Sequence, residues 1–298
     1  MGAQEIARRV QSELAKLPDS LRDDADKIWQ SVARVDEKGK ISQITRLFAA
    51  SLHEPVVIYD DIAAAHFYMW MAYTLYDRII DGEVTVAVLP LANVLLRSAL
   101  SYCPDLHDAF LKMDAANAWE LTYARARIYR GSITFSQLPL YGDGQVLVDR
   151  AYGHIASCVR MVLPVDQPVV VEALSQYVIA RQLNDDLHDW VEDLRSGQLT
   201  YVVTSLLQTA TVPSGKYAID ELLVSLRRQF WETEVERLCQ EVIDRTERAK
   251  AMLQPLLAIN SPFDTQVLNP ISQVAHAALR RHRLHRAQLA AYQRAHGV

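Results

Sequence analysis

Two groups of carboxylates in this sequence have the spacing of metal ligands. Asp77 and Asp81 are four residues apart, so a helix would carry both on one face about one turn from each other. A second set falls within about 60° of Asp189 on a helical wheel. Its members are Gln182, Asp185, Asp186, Asp189, Glu192 and Asp193. Hard cations such as Mg²⁺ prefer carboxylate oxygens together with substrate phosphates, so both groups are candidate metal sites.

Each group also has a simpler interpretation. Asp77 and Asp81 could mark the point where a core helix reaches solvent, with Arg78 pairing locally. The second group could be the solvent face of an amphipathic helix whose other face is apolar. That other face carries Leu183, Leu187, Val191 and Leu194. Crowded like charges destabilise a helix unless cations neutralise them, but the amphipathic pattern explains the second group equally well, so the residues alone leave both interpretations open.

Aromatic side chains precede the first pair on the same helical stripe. His66, Trp70 and Tyr73 lie deeper along the helix that ends in Asp77 and Asp81. An aromatic cavity beside a diphosphate site would suit an allylic carbocation through cation–π attraction. The pattern therefore makes Trp70 and Tyr73 candidate substrate-binding residues.

The elements that position these residues are predicted to be helices. Only 10 Gly and 11 Pro occur in 298 residues, and apolar residues recur at spacings of three and four. No linker divides the chain, so we expect one all-α domain over residues 1–298. The predicted helices span residues 4–16, 20–35, 41–52, 60–81, 85–101, 105–129, 145–163, 169–195, 217–258 and 265–294.

Composition narrows the class of protein. A net charge of -5, with no basic stripe interleaved with aromatics in the body of the chain, argues against nucleic-acid binding. Three scattered cysteines indicate neither disulfides nor zinc, which fits a reducing cytoplasm. The first 17 residues lack the apolar core of a signal peptide, and the apolar stretch 62–76 is shorter than the ~18 residues of a transmembrane helix. Arginines near the C-terminus could close over an anionic substrate or contact anionic lipids, and a solvated terminal helix explains them as well.

These motifs resemble the class I isoprenoid synthase superfamily. Asp77-Arg-Ile-Ile-Asp81 is similar to the first DxxxD motif of squalene and phytoene synthases, and DRIIDGE to the DDxxD region of trans-prenyl diphosphate synthases. Asp189-Trp-Val-Glu192-Asp193, followed by Arg195, Gly197 and Tyr201, resembles the DxxED motif of phytoene synthases. The QxxDDxxD pattern of trans-prenyltransferases and the NSE triad of terpene cyclases overlap the same stretch. The triad would be Asn184, His188 and Glu192.

The resemblance implies a single-domain helical bundle with a central cavity, a Mg²⁺ cofactor and a prenyl diphosphate substrate. The catalytic residues would be Asp77, Asp81, Asp189 and Asp193. The metal ligands would be these four together with Asp185, Asp186 and Glu192. Substrate-binding residues would be Lys40, Arg46, Arg127, Gln182, Arg195 and Tyr201, besides Trp70 and Tyr73. Glu120 and Tyr123 would line the cavity with Arg127. A homodimer is expected by analogy alone.

Three functions remain open on this basis. Both motifs match transferases most closely, so we expect a Mg²⁺-dependent prenyltransferase that couples an allylic carbocation to a second substrate. A class I terpene synthase that cyclises one C10 to C20 diphosphate is the alternative. A non-catalytic binding protein with a decayed metal site is the third, because Arg78 replaces a second aspartate. The doubled arginine that usually follows the first motif is also absent.

Overall fold

A computed structural model describes residues 3–35, 41–53, 60–125, 128–129, 132–134, 138–209 and 216–296. In these ranges the chain is mostly α-helical, which confirms the predicted fold class. The α-helices are α1 (Ala3–Leu14), α2 (Asp19–Val35), α3 (Ile44–Ala49), α4 (Asp60–Ile80), α5 (Leu89–Tyr102), α6 (His107–Trp119), α7 (Gln145–Arg150), α8 (Tyr152–Val159), α9 (Gln167–Ser196), α10 (Tyr201–Thr209), α11 (Ile219–Gln229), α12 (Val235–Leu253) and α13 (Asn269–His296).

A small antiparallel sheet is the feature that sequence periodicity did not predict. It has the order β1 (Ile128–Tyr129), β2 (Ser132–Thr134) and β3 (Lys216–Ala218). Ile133 in the middle strand is paired with Ile128 and with Tyr217. Strands this short show too little alternation to be separated from the ends of the neighbouring helices.

The chain divides into two compact units. The first contains Met1–Asp114, Ala151–Glu172 and Met252–Val267. The second contains Ala115–Arg150, Ala173–Ala251 and Leu268–Val298. The expectation of a single domain stays a prediction.

Helix α4 forms the centre of the first unit. Residues 63–69 are all buried, as expected for a segment without a polar face, and α4 packs against α1, α2, α3, α5 and α8. The approach of α8 is close because of Gly153, where an added Cβ would lie 2.0 Å from Sδ of Met69. Any larger residue at this crossing would require the Met69 side chain to move.

Glu13 of α1 ties that helix to α4 and α5. Its carboxylate accepts hydrogen bonds from the hydroxyl groups of Tyr68 and Tyr102. Arg9, one turn earlier, lies 4.5 Å from the centroid of the Tyr102 ring and pairs with Asp61 at 3.1 Å. The N-terminal helix is thus held by a polar network at the edge of the core.

In the second unit, α9 buries one apolar stripe along residues 173–196. Leu183, Trp190 and Leu194 are 4% exposed or less, and the Trp190 ring lies 5.2 Å from that of Phe230. Gly197 then adopts a φ of 88°, a left-handed conformation that readily ends a helix. The chain turns there into α10.

No helix in the described ranges is both long and apolar enough to cross a bilayer.

Candidate functional site

The first acidic pair lies at the C-terminal end of α4. The amide of Asp81 donates a 2.8 Å hydrogen bond to the carbonyl oxygen of Asp77, so both carboxylates lie on one face as predicted. Asp77 is partly buried and Asp81 is exposed. Gly82, with a φ of 74°, ends the helix directly after the pair. The negative end of a helix dipole lies here, which adds to the attraction of the pair for cations.

Arg78, between the two aspartates, is engaged elsewhere. Its guanidinium donates a hydrogen bond to Oγ of Ser31 on α2, and its Nε lies 3.7 Å from the carboxylate of Glu83. The side chain therefore anchors the end of α4. The first motif therefore contributes two carboxylates, and Arg78 between them fixes the C-terminal end of α4.

The aromatic stripe on α4 has specific partners of its own. The Tyr73 hydroxyl donates to Oδ1 of Asp114 at 2.8 Å, and burial followed by this hydrogen bond raises the pKa of Tyr73 well above its usual range. Trp70 is half-buried and meets Phe67 edge to face. His66 is fully buried, with Nε2 2.7 Å from Nδ1 of His154. The roles of Trp70 and Tyr73 in substrate binding stay predictions.

The second acidic group does not form one uniform solvent face. Asp185, Asp189 and Glu192 are exposed, Asp193 is partly buried and Asp186 is buried. Taking Asp189 as zero, Asp186 and Asp193 are rotated by about 40 to 60° toward the apolar stripe, whereas the other two are rotated away from it. We call Asp186 and Asp193 the inner edge of this group, and Asp185 and Glu192 its outer edge.

Asp186 is the most perturbed carboxylate of the inner edge. It is 3% exposed, and its Oδ1 accepts a 2.8 Å hydrogen bond from Nε2 of Gln182. Its Oδ2 is buried and makes no well-formed hydrogen bond among the described residues, although the backbone amide of Val202 approaches the carboxyl group and lowers its pKa. Burial raises the pKa of Asp186 to about 6, although the Gln182 hydrogen bond and the charge of Arg150 oppose the shift. The pKa of the neighbouring Asp185 is raised as well, mainly by desolvation and further by the negative charge of Asp189, whereas the charge of Arg181 lowers it.

The turn after α9 shapes the rest of the motif. The backbone amide of Gln198 donates a 2.7 Å hydrogen bond to the carbonyl oxygen of Asp193. The Thr200 hydroxyl donates a 3.3 Å hydrogen bond to the Asp193 carboxylate. Tyr201 is half-buried at the start of α10, whereas Arg195 is exposed. The motif thus brings Asp193 and Thr200 together and leaves Arg195 directed to solvent.

An ion pair near Asp186 was not predicted from the sequence. Arg150 of α7 pairs with Glu120 at 3.3 Å, and its charge lowers the pKa of Asp186 against the effect of burial. Tyr141 donates to the carbonyl of Leu199 at 2.7 Å. Burial, followed by the charges of Asp186 and Glu120, raises the pKa of Tyr141 well above its usual range. Arg150 belongs to no recognisable motif, so the sequence alone did not indicate its pair with Glu120.

Tyr141 also joins a group of aromatic rings in this unit. Its ring lies 5.1 Å from that of Trp119 and 5.7 Å from that of Tyr201, both edge to face. Trp119 in turn lies 5.7 Å from Tyr123. These rings belong to the same unit as the second acidic group.

Of the remaining predicted site residues, some are described by the structure and others are not. Residues 120–125 form a π-helical turn, which breaks the spacing that should align Glu120 with Tyr123; Tyr123 is exposed. Arg46 donates to Gln43 at 3.3 Å, and its Nε is buried without a partner among the described residues. Lys40 and Arg127 lie outside the described residues.

The alternative triad is only partly arranged for metal binding. His188 is exposed, and its Nδ1 lies 2.6 Å from the carbonyl oxygen of Asn184. A carbonyl can only accept a hydrogen bond, so Nδ1 carries the proton. The ring is therefore held back against its own helix.

The donor chemistry of the two acidic groups fits a hard divalent cation. Both supply carboxylate oxygens, the preferred ligands of Mg²⁺, and Oδ2 of Asp186 lacks a partner that a cation would provide. Within the described ranges, no three His, Cys, Asp or Glu side chains converge closely enough to hold an ion by themselves. Such an ion would need ligands from a substrate as well.

Comparisons with solved structures decide the fold. A decaprenyl diphosphate synthase from Rhodobacter capsulatus superposes with a TM-score of 0.63 at 14% identity, over 93% of this chain and 95% of that one. The chain has the isoprenoid synthase fold. A geranylgeranyl pyrophosphate synthetase from Pyrococcus horikoshii gives 0.60 at 14%, over 93% and 98%. The same synthetase from Geoglobus acetivorans gives 0.61 at 15%, over 93% and 96%.

The sequence comparisons add nothing to this. No family model and no curated protein matches the chain. At such low identity the likeness establishes the fold alone, and it confirms the predicted resemblance at that level.

Proposed function

We propose that the protein is a Mg²⁺-dependent prenyltransferase that ionises an allylic prenyl diphosphate and couples the resulting carbocation to a second substrate. The observation that carries the proposal is the acidic group on α9, where Oδ2 of Asp186 is buried without a partner among the described residues. Such a carboxylate is stabilised either by protonation or by a bound cation, and Mg²⁺ is the cation that this proposal assigns to it. The isoprenoid synthase fold supports a diphosphate as the substrate that accompanies it.

The Mg²⁺ ligands in this proposal come from both acidic groups. They are Asp77, Asp81, Asp185, Asp186, Asp189, Glu192 and Asp193. When bound, Mg²⁺ supplies electrostatic stabilisation of the charge that develops on the leaving diphosphate. The carboxylates of each motif would hold the ions, so we expect activity to require both motifs.

Basic side chains complete the binding of the diphosphate. Arg46 and Arg195 are the described candidates, joined by Lys40 and Arg127 from the sequence. Arg150 acts differently, because it is paired with Glu120 and its charge reaches Asp186. We assign it a positioning role on the inner edge of the acidic group.

Aromatic side chains would meet the hydrocarbon end of the substrate. Trp70 and Tyr73 continue the stripe of Asp77 along α4, and Tyr201 stands beside Tyr141 in the second unit. Such rings exclude water and stabilise a passing carbocation through their π faces. Excluding water prevents the capture of the cation as an alcohol.

The first motif favours one type of prenyltransferase within this proposal. Because Arg78 is engaged with Ser31 and Glu83, the motif supplies the two carboxylates of a DxxxD pattern. That pattern resembles squalene and phytoene synthases, in which two prenyl diphosphates are joined. The experiment therefore tests two reactions, the coupling of two allylic diphosphates and the elongation of one allylic diphosphate with isopentenyl diphosphate.

The test is incubation with Mg²⁺ and geranyl, farnesyl or geranylgeranyl diphosphate, each with and without isopentenyl diphosphate. Diphosphate release is measured, and products are identified by mass spectrometry. A longer prenyl product or a coupled dimer supports the transferase, whereas a hydrocarbon from one substrate alone supports a terpene synthase. If folded protein releases no diphosphate with any substrate, catalysis is contradicted and a binding role is left.

A further inference from the structure

Helix α13 carries a charge opposite to that of the rest of the chain. No Asp or Glu follows Asp264, and α13 holds five arginines. The remaining 26 Lys and Arg face 36 Asp and Glu, a formal charge of about -10 outside α13. The five arginines are Arg280, Arg281, Arg283, Arg286 and Arg294. Positive charge is therefore concentrated on one element.

Only part of this charge is neutralised within the protein. Arg283 donates two hydrogen bonds to Glu236 of α12, at 2.9 and 2.8 Å, and Arg286 lies 3.9 Å from the same carboxylate. Arg280, Arg281 and Arg294 are exposed and form no ion pair with any residue that the structure describes. Three arginines are thus available to an external anion.

The available charge lies beside exposed apolar side chains. Ser272, Ala275, Leu279 and His282 form the buried stripe of α13. At about 100° per residue, the opposite side carries Val274, Arg280, Arg281, Leu284 and Tyr292. We refer to these five residues as the outer face. Leu284 is 57% and Tyr292 61% exposed.

An exposed tryptophan packs against the other side of α13, at His282 of the buried stripe. Trp231 is 56% exposed and stacks on His282 with ring centroids 6.2 Å apart. Leu289, two turns beyond His282, is exposed as well. Trp and Tyr are enriched where hydrocarbon meets water at a membrane surface. On the outer face, Tyr292 and Leu284 beside Arg280 and Arg281 are the residue types of an interfacial helix.

We propose that the outer face of α13 docks on an anionic lipid bilayer. Leu284 and Tyr292 enter the boundary between headgroups and acyl chains, while Arg280 and Arg281 reach the anionic headgroups. The acidic remainder of the chain is repelled by the same surface, so the protein is oriented with α13 toward the membrane. The helix lies on the bilayer, in agreement with its many polar residues.

A second copy of the chain is a less suitable occupant of this face. A two-fold dimer formed through one surface would bring the same arginines of both copies together. Like charges across an interface cost free energy unless counter-charges separate them. The outer face contains no carboxylate that could pair with them.

Vesicle flotation of the full-length protein tests the proposal. Vesicles of phosphatidylcholine are compared with vesicles of phosphatidylcholine and phosphatidylglycerol at low salt. The wild type is expected to float only with the anionic vesicles. The variant Arg280→Gln/Arg281→Gln should lower partitioning about tenfold or more. Arg227→Gln/Arg228→Gln, which removes two exposed arginines of α11, is the matched control and should leave it nearly unchanged.

A second variant tests the apolar contribution. Leu284→Ser/Tyr292→Ser should also weaken flotation without changing the helical circular dichroism signal, because both side chains are exposed. The proposal is overturned if the wild type does not float with anionic vesicles, if it floats equally with both kinds, or if the control variant loses as much binding. It is also overturned if the wild type forms dimers that the Leu284→Ser/Tyr292→Ser variant loses while vesicles remain unbound.

Discussion

The side-chain amide of Gln182 donates a 2.8 Å hydrogen bond to Oδ1 of Asp186, one turn further along α9. This hydrogen bond satisfies one carboxylate oxygen and leaves the other buried without a partner among the described residues. An ionised carboxylate in that position costs free energy. A cation bound at Oδ2 would offset this cost, which connects the stability of the protein to its ligand.

The first prediction concerns the pH dependence of stability in the absence of Mg²⁺. The pKa of Asp186 in the folded protein, about 6, lies above the ordinary 3.8, so the folded state holds this proton more tightly than the unfolded chain. The resulting stability is complete below pH 3.8 and is lost as the pH rises through about 6. The difference amounts to at most roughly 3 kcal/mol.

Asp186→Asn should remove this dependence. Between pH 4.5 and pH 7.5, urea unfolding should show the variant gaining stability relative to the wild type. Asp244→Asn, at an exposed position of α12 in the same unit, serves as the control and should follow the wild type. Parallel stability curves for Asp186→Asn and the wild type would show that this carboxylate is not perturbed.

The second prediction concerns the anchor of the first motif. Arg78→Met keeps the length of the side chain but loses the hydrogen bond to Ser31 and the pairing with Glu83. The free energy of unfolding should fall by about 1 to 2 kcal/mol. Arg97→Met, at an exposed position of α5, should change it by less than about 0.5 kcal/mol. Equal losses in the two variants would contradict the anchoring role.

The third prediction concerns the crossing of α4 and α8. In Gly153→Ala the new methyl group would overlap Sδ and Cε of Met69, at 2.0 and 2.4 Å. Overpacking of this kind should cost about 1 to 3 kcal/mol in thermal or urea unfolding. Adding Met69→Ala should recover part of that loss, so that the double variant is less destabilised than the sum of the single variants. Simple additivity would argue against the close contact.

The fourth prediction concerns Glu13. Burial raises its pKa, but the hydrogen bonds from Tyr102 and Tyr68 and the charge of Arg9 outweigh burial and lower the pKa below 4.5. A lowered pKa gives stability that is present above pH 4.5 and is lost as the pH falls through the folded-state value. Glu13→Gln should therefore be less stable than the wild type at pH 7, and the gap should narrow on acidification. A gap independent of pH would contradict the network.

The long helices were predictable from the sequence because each has a clear hydrophobic pattern. The prediction of residues 60–81 agrees with α4, and that of 169–195 agrees with α9 to within two residues at the N-terminus and one at the C-terminus. The helix predicted over 217–258 is observed as an uninterrupted helical run from α11 through a π-helical turn at Phe230–Glu234 to the end of α12 at Leu253, and its first two residues belong to β3. Periodicity does not locate the inserted residue of a π-helical turn, because the apolar spacing of three and four resumes on either side of it.

The candidate site was predictable in its residue types and less so in its environment. The wheel grouped the α9 carboxylates correctly and turns Asp186 and Asp193 toward the apolar stripe, but it could not show that Asp186 is almost fully buried. Nor could it show that Arg78 turns to Ser31, because that hydrogen bond joins residues 47 positions apart in the chain. The pair of Arg150 with Glu120 was missed for the same reason.

The fifth prediction tests the central claim, that the reaction is a Mg²⁺-dependent ionisation that requires Asp77 and Asp189. The measurement is diphosphate release from the most active allylic substrate over a range of Mg²⁺ concentrations. Asp77→Asn and Asp189→Asn should each lower the rate at least about a hundredfold, whereas the exposed controls Asp23→Asn and Asp244→Asn should retain it. Release that is independent of Mg²⁺, or that is unchanged in both motif variants, would contradict the account.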